Sequence, residues 1–99
     1  MYLINITIKA NQVPKDQEAD LLAKHRAWFK GQYEAGNFLL VGPYRDRPMA
    51  GLVIAKAANR DELQAMIAQD AYFPDLATYD VNEFQANLIA QKINDYQGE

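Results

Sequence analysis

His25 is the only histidine in the chain, and its neighbours decide what it can do. Leu21, Leu22, Trp28, Phe29 and Tyr33 recur at the three- and four-residue spacing that puts side chains on one face of a helix. His25 sits inside that face, so its ring is expected to point at the core or at a pocket. Asp70 has a matching place on a second stripe, four residues after Met66 and three after Ile67. It is expected at the C-terminal end of its helix, where the macrodipole disfavours an anion. An inward carboxylate there needs a partner, and His25 is the one titratable cation on the facing inner stripe. An aspartate bonded to an imidazole holds the ring in one tautomer and leaves the other nitrogen to take or give a proton, which is a general acid–base dyad. Each residue also has a plainer reading: His25 as a core histidine among Trp28 and Phe29, and Asp70 as a helix-end residue bonded to nearby backbone amides.

Other candidates lie close by in the sequence. Tyr72 and Phe73 could line a pocket for a flat substrate, or serve as core aromatics at a helix end. Tyr44, Arg45 and Arg47 could gather an anionic substrate at a pocket mouth, or form a solvated turn. Gly36, Gly42 and Gly51 lie at strand ends and do not make a phosphate-cradling loop. The chain has no cysteine and no serine, which removes disulfides, thiolate zinc sites, and Cys–His and Ser–His–Asp catalysis. Only Thr7 and Thr78 could supply an aliphatic hydroxyl nucleophile, and nothing marks either. With one histidine and otherwise only carboxylates as strong ligands, no metal site and no cofactor are expected.

The elements that must position these residues can be read from periodicity. Tyr2 to Lys9 alternates, with Ile4, Ile6 and Ile8 on one side, and predicts a half-buried strand. Asn11 to Pro14 breaks the pattern, and Asp16 and Glu18 begin a helix over about residues 15–35 that ends at Gly36. Phe38–Tyr44 and Ala50–Lys56 predict a hairpin around Arg45-Asp46-Arg47-Pro48. In it Phe38 and Leu40 are expected on one face, Leu39 and Val41 on the other, with Leu52 and Ile54 opposite Val53. Both faces are then apolar, and a second subunit is the expected cover for the face the helices leave bare.

Asn59 predicts a helix cap with Glu62 at the third position, and Leu63, Met66 and Ile67 form the inner stripe of a helix reaching Asp70. Thr78 to Ala86 predicts a bulged last strand. Leu88, Ile89 and Ile93 predict a short helix or arm over 88–99. The order strand, helix, strand, strand, helix, strand is that of an α+β ferredoxin-like βαββαβ fold with an antiparallel sheet.

His25, Gly36 and the Gly42-Pro43 pair, with Asp70-Ala71-Tyr72-Phe73 further along, resemble the motifs of the YCII-related family of small proteins. The chain has Ala71 where that family usually has proline, and Leu76 where a glycine is usual. The resemblance implies a ferredoxin-like domain paired into a dimeric α+β barrel, with an active site at the positions of His25 and Asp70. It implies chemistry of the lyase or isomerase type on small cyclic or aromatic compounds, by proton abstraction or elimination. The alternative is a non-catalytic ligand-binding or accessory protein in which His25 only hydrogen-bonds the ligand.

The whole chain sets outer bounds. Its 99 residues suit a single domain, residues 1–99, with much of its surface exposed unless it assembles. The expected partners are a second copy, giving a homodimer or a larger assembly, and a small-molecule ligand. A net charge of -3 offers no basic stripe for nucleic acid. MYLINITIKA lacks the basic start and continuous apolar run of a signal peptide, and no stretch approaches a membrane span. A cytoplasmic protein is expected.

Overall fold

The structure is a computed structural model that describes all 99 residues. Four strands, β1 (Tyr2–Ile8), β2 (Phe38–Pro43), β3 (Ala50–Ala55) and β4 (Ala77–Glu83), and two helices, α1 (Glu18–Glu34) and α2 (Arg60–Ile67), run in the order β1-α1-β2-β3-α2-β4. The strands form one antiparallel sheet in the spatial order β2-β3-β1-β4. This is an α+β fold of the ferredoxin-like type. No helix is long and apolar enough to cross a membrane.

Alternation in β1 sorts the sheet. Tyr2, Ile4 and Ile6 are buried, and the residues opposite the first two on β3, Ala55 and Val53, are buried with them. Directly opposed residues of an antiparallel pair share a face, so this is the face that α1 and α2 cover with Trp28, Leu63, Met66 and Ile67. Leu3, Leu52 and Ile54 lie on the other face and are only half-buried.

The hairpin departs from simple alternation. Phe38 pairs with Ala55, but Leu40 pairs with Ile54 and Val41 with Val53, so a bulge at Leu39 shifts the register by one. Phe38 and Leu40 therefore face opposite ways, and Val41 turns to the helix side. The extra residue in one strand inverts the side-chain parity of the rest of β2. The expected bulge in the last strand is absent: β4 pairs with β1 in unbroken register from Ile8–Ala77 to Tyr2–Glu83, which places Tyr79 and Val81 on the helix side.

Local signals hold the helix ends. Gly36 has φ +82°, and the bonds Gly36 N–H to Tyr33 O and Asn37 N–H to Gln32 O, both 3.0 Å, close a Schellman turn that a side chain would strain. Asn59 Oδ1 accepts from Glu62 N–H at 2.8 Å and caps α2. Tyr33 is 63% exposed, contrary to the expected stripe, because it is rotated about 140° from Trp28 around the helix axis. Gln32 takes that place on the inner face. α2 stops at Ile67, short of Asp70. Beyond residue 83 the chain runs out as an arm ending in a 3₁₀ turn at Ile93–Tyr96, and Leu88 is 96% exposed.

Candidate functional site

α1 delivers His25 to the sheet side of the helix between Leu21 and Trp28, where its ring is packed by aromatics. Phe29 meets it edge-on at 4.3 Å between centroids, Tyr72 lies at 5.0 Å, and Trp28 stacks at 5.8 Å. Trp28 Nε1–H donates to Met66 O at 2.9 Å, which ties α1 to α2 and fixes the spacing of the two helices beside the site.

Asp70 reaches His25 from a turn, not from the helix. Its N–H bonds to Ile67 O at 3.0 Å, and its own carbonyl accepts from Phe73 N–H at 3.1 Å. Successive three-residue turns thus carry the chain past the end of α2 and keep the inward direction of its stripe. They form with Ala71 in place of a proline. The carboxylate is fully buried, and Oδ1 lies 2.6 Å from His25 Nδ1. Oδ2 accepts the Tyr79 phenol proton at 2.6 Å. Both oxygens are therefore engaged, which meets the requirement that a buried charge be paired and hydrogen-bonded.

A carboxylate accepting at both oxygens places the ring proton on Nδ1. Nε2 is then free to act as a base or, once protonated, as an acid. No buried side-chain polar atom lacks a partner, and Nε2 makes no bond within the chain, so it opens to the surface. It does so through a groove of about 750 Å³ between α1 and the β2–β3 hairpin. Gly51 leaves this part of the sheet without a side chain, and it has to: a Cβ there would stand 2.8 Å from Gly42 O.

Tyr79 belongs to the site although its sequence neighbourhood does not single it out. Its one signal is its parity in β4, opposite Ile6, and spacing gives no reading of its partner. Burial, and then the hydrogen bond to Asp70, push its phenol well above the usual tyrosine range, so the group remains a proton donor to the carboxylate at ordinary pH. Tyr72 is also raised, by burial first and by the Asp70 charge second. It is buried behind His25 and lines a separate cavity of about 240 Å³ with Val13 and Glu18.

The remaining candidates separate. Arg45 and Arg47 line the groove, joined by Arg26 from α1, which periodicity does not mark because it is exposed beside the inner stripe. Tyr44 forms part of the groove wall, but its phenol donates to Asn5 on the far face of the sheet and its ring carries the Arg47 guanidinium at 4.4 Å. Phe73 is exposed and packs against Tyr79 at 5.9 Å, outside the groove lining. No three His, Asp or Glu side chains come together to hold a metal ion.

A family model described as the YCII-related domain matches residues 1–85, a span that includes every residue of this site. No curated protein matches the chain.

Proposed function

The chain belongs to the YCII-related family, and from that premise we propose that it is a small-molecule enzyme of the lyase or isomerase type acting on cyclic or aromatic compounds. The observation that carries this reading is the 2.6 Å contact between His25 Nδ1 and a buried carboxylate, with Nε2 facing a groove large enough for a ring compound. In this proposal Nε2 takes a proton from a substrate carbon. The electron pair left behind forms a carbon–carbon double bond, either expelling a leaving group from the adjacent carbon or displacing the π pair of a double bond that the adjacent carbon already carries, whose far carbon then takes the proton back from His25. Asp70 holds the ring and stabilises the imidazolium, and Tyr79 holds Asp70. All three act from fixed positions, so little reorganisation accompanies the proton transfer.

We further propose that the protein works as a homodimer joined through the sheet face that bears Leu3, Leu40, Leu52 and Ile54. The half-buried and exposed leucines and isoleucine gathered on its β2, β3 and β1 strands support this.

The test is a screen of small ring compounds for turnover, run beside a thermal-shift screen for binding, with His25→Ala as control. Turnover that falls about 10²–10⁴-fold in His25→Ala is expected of a general base. Saturable binding without turnover of any bound compound would instead make the chain a ligand-binding module.

A further inference from the structure

The groove in front of His25 has two chemically different parts. Its floor is apolar, built by Ile6, Phe29 and Val41, while its rim carries Arg26, Arg45 and Arg47 against a single carboxylate, Asp46. None of the three arginines makes an ion pair within the chain: the salt bridges present are Lys24–Asp20, Lys30–Glu34 and the His25–Asp70 contact. In a protein whose net charge is -3, three unpaired guanidinium groups around one groove are a local reversal of sign. Such a reversal concentrates anions.

The rim is held in place. Tyr44 bonds Asn5 of β1 through its phenol and Ala50 O through its N–H at 2.9 Å, while at the other end of the loop Met49 O accepts from Ile8 N–H at 2.9 Å. Met49 itself has φ 53°, a left-handed conformation that a non-glycine residue keeps only where its surroundings enforce it. The Arg47 guanidinium lies 4.4 Å over the Tyr44 ring. A guanidinium held over a ring in this way makes no hydrogen bond to it through its oxygen and keeps N–H donors to offer a second group.

We propose that this groove binds a small ring compound bearing a carboxylate, with the ring on the apolar floor beside His25 and the carboxylate held by the arginines of the rim. This deepens the reading of His25 as a general base and rests on it only for the step after binding. A planar carboxylate matches the guanidinium fork in two-point hydrogen bonding, and an apolar ring matches the floor. A bare inorganic anion would use only the rim, and a neutral ring only the floor. With the carboxylate met by the arginines of the rim, the proton-accepting nitrogen of His25 is left free for the ring.

Isothermal titration and NMR shift mapping with three probes test the proposal: benzoate, benzamide of the same shape without charge, and inorganic phosphate. Benzoate is expected to bind saturably, to perturb residues around His25, and to bind at least about tenfold more tightly than either of the others. Arg26→Gln, Arg45→Gln and Arg47→Gln are exposed changes that leave the fold intact by circular dichroism, and the triple variant is expected to lose that preference. Asp46→Asn is expected to tighten benzoate binding or leave it unchanged. Benzamide or phosphate binding as tightly as benzoate, no saturable benzoate binding, or a preference that survives in the triple variant would each overturn the proposal. His25→Ala separates it from the enzyme reading. Arginine-dependent benzoate binding kept in His25→Ala, with no ring acid turned over by the native protein, would leave this proposal standing and remove the catalytic one. His25-dependent turnover of neutral rings alone would do the reverse.

Discussion

Tyr79 donates its phenol proton to Asp70 Oδ2 across 2.6 Å, on the oxygen that His25 does not use. The strand β4 thereby fixes the carboxylate that fixes the imidazole, and the phenol's proton is held more tightly in the folded chain than in the unfolded one. Burial is the first cause of this and the bond to Asp70 the second. Below the unfolded-state value of 10.0 both states carry the proton and the contribution to stability is complete. As pH rises past that value the unfolded chain releases the proton first, so the contribution shrinks. Tyr79→Phe is therefore expected to cost about 1–3 kcal/mol at neutral pH. The difference from the native protein should narrow in urea unfolding at pH above about 10, and a difference that grows there would contradict the bond.

Asp70→Asn keeps the shape of the side chain but no longer requires a proton on His25 Nδ1. Nitrogen-15 shifts of the imidazole are expected to show the Nδ1–H form in the native protein and a mixture of tautomers in the variant. For any substrate found, kcat is expected to fall by much more than binding does, because the orienting role matters when the proton moves. An imidazole spectrum identical in the two proteins would mean that Asp70 does not set the tautomer.

Two hairpin positions give the proposed dimer a specific test. Leu52 lies on the face without helices, while Val41 lies opposite Val53 on the helix side. Leu52→Lys is expected to raise the dimer dissociation constant by at least about a hundredfold, since an unpaired charge would be buried at the interface. Val41→Lys is expected to leave the dimer intact and to obstruct the groove. Light scattering over a concentration series reads both, and a native protein that is monomeric and folded at micromolar concentration would end the proposal.

Two glycines are expected to respond oppositely to alanine. At Gly51 the new Cβ meets backbone at 2.8 Å, and Gly51→Ala is expected to destabilise the chain by about 1–3 kcal/mol as β2 is pushed aside. Gly31 in α1 has nothing within 4 Å of that position, and Gly31→Ala is expected to stabilise by about 0.5–1 kcal/mol through helix propensity and unfolded-chain entropy. Denaturant midpoints of the two variants measure both signs.

The sequence by itself determined the features that depend on neighbours a few residues apart. The alternation of Ile4, Ile6 and Ile8, the stripe of Leu21, Trp28 and Phe29 that turns His25 inward, the Asn59 cap and the Gly36 turn all arise from backbone geometry and local bonding, and each is found in the structure. The stripe of Leu63, Met66 and Ile67 likewise aimed Asp70 inward, even though α2 ends before it. The tertiary structure decided the features that depend on register between segments distant in the chain. The bulge at Leu39 sends Val41 to the groove and Leu40 to the bare face, because one inserted residue inverts parity and hydrophobic pattern alone does not mark it when both faces are apolar. Tyr79 meets Asp70 only because β4 pairs with β1 in the register that sets it opposite Ile6. Arg26 joins Arg45 and Arg47 only because α1 packs across the hairpin. In each case the residue type was plain in the sequence, and the partner was chosen by packing between elements that no short-range spacing connects.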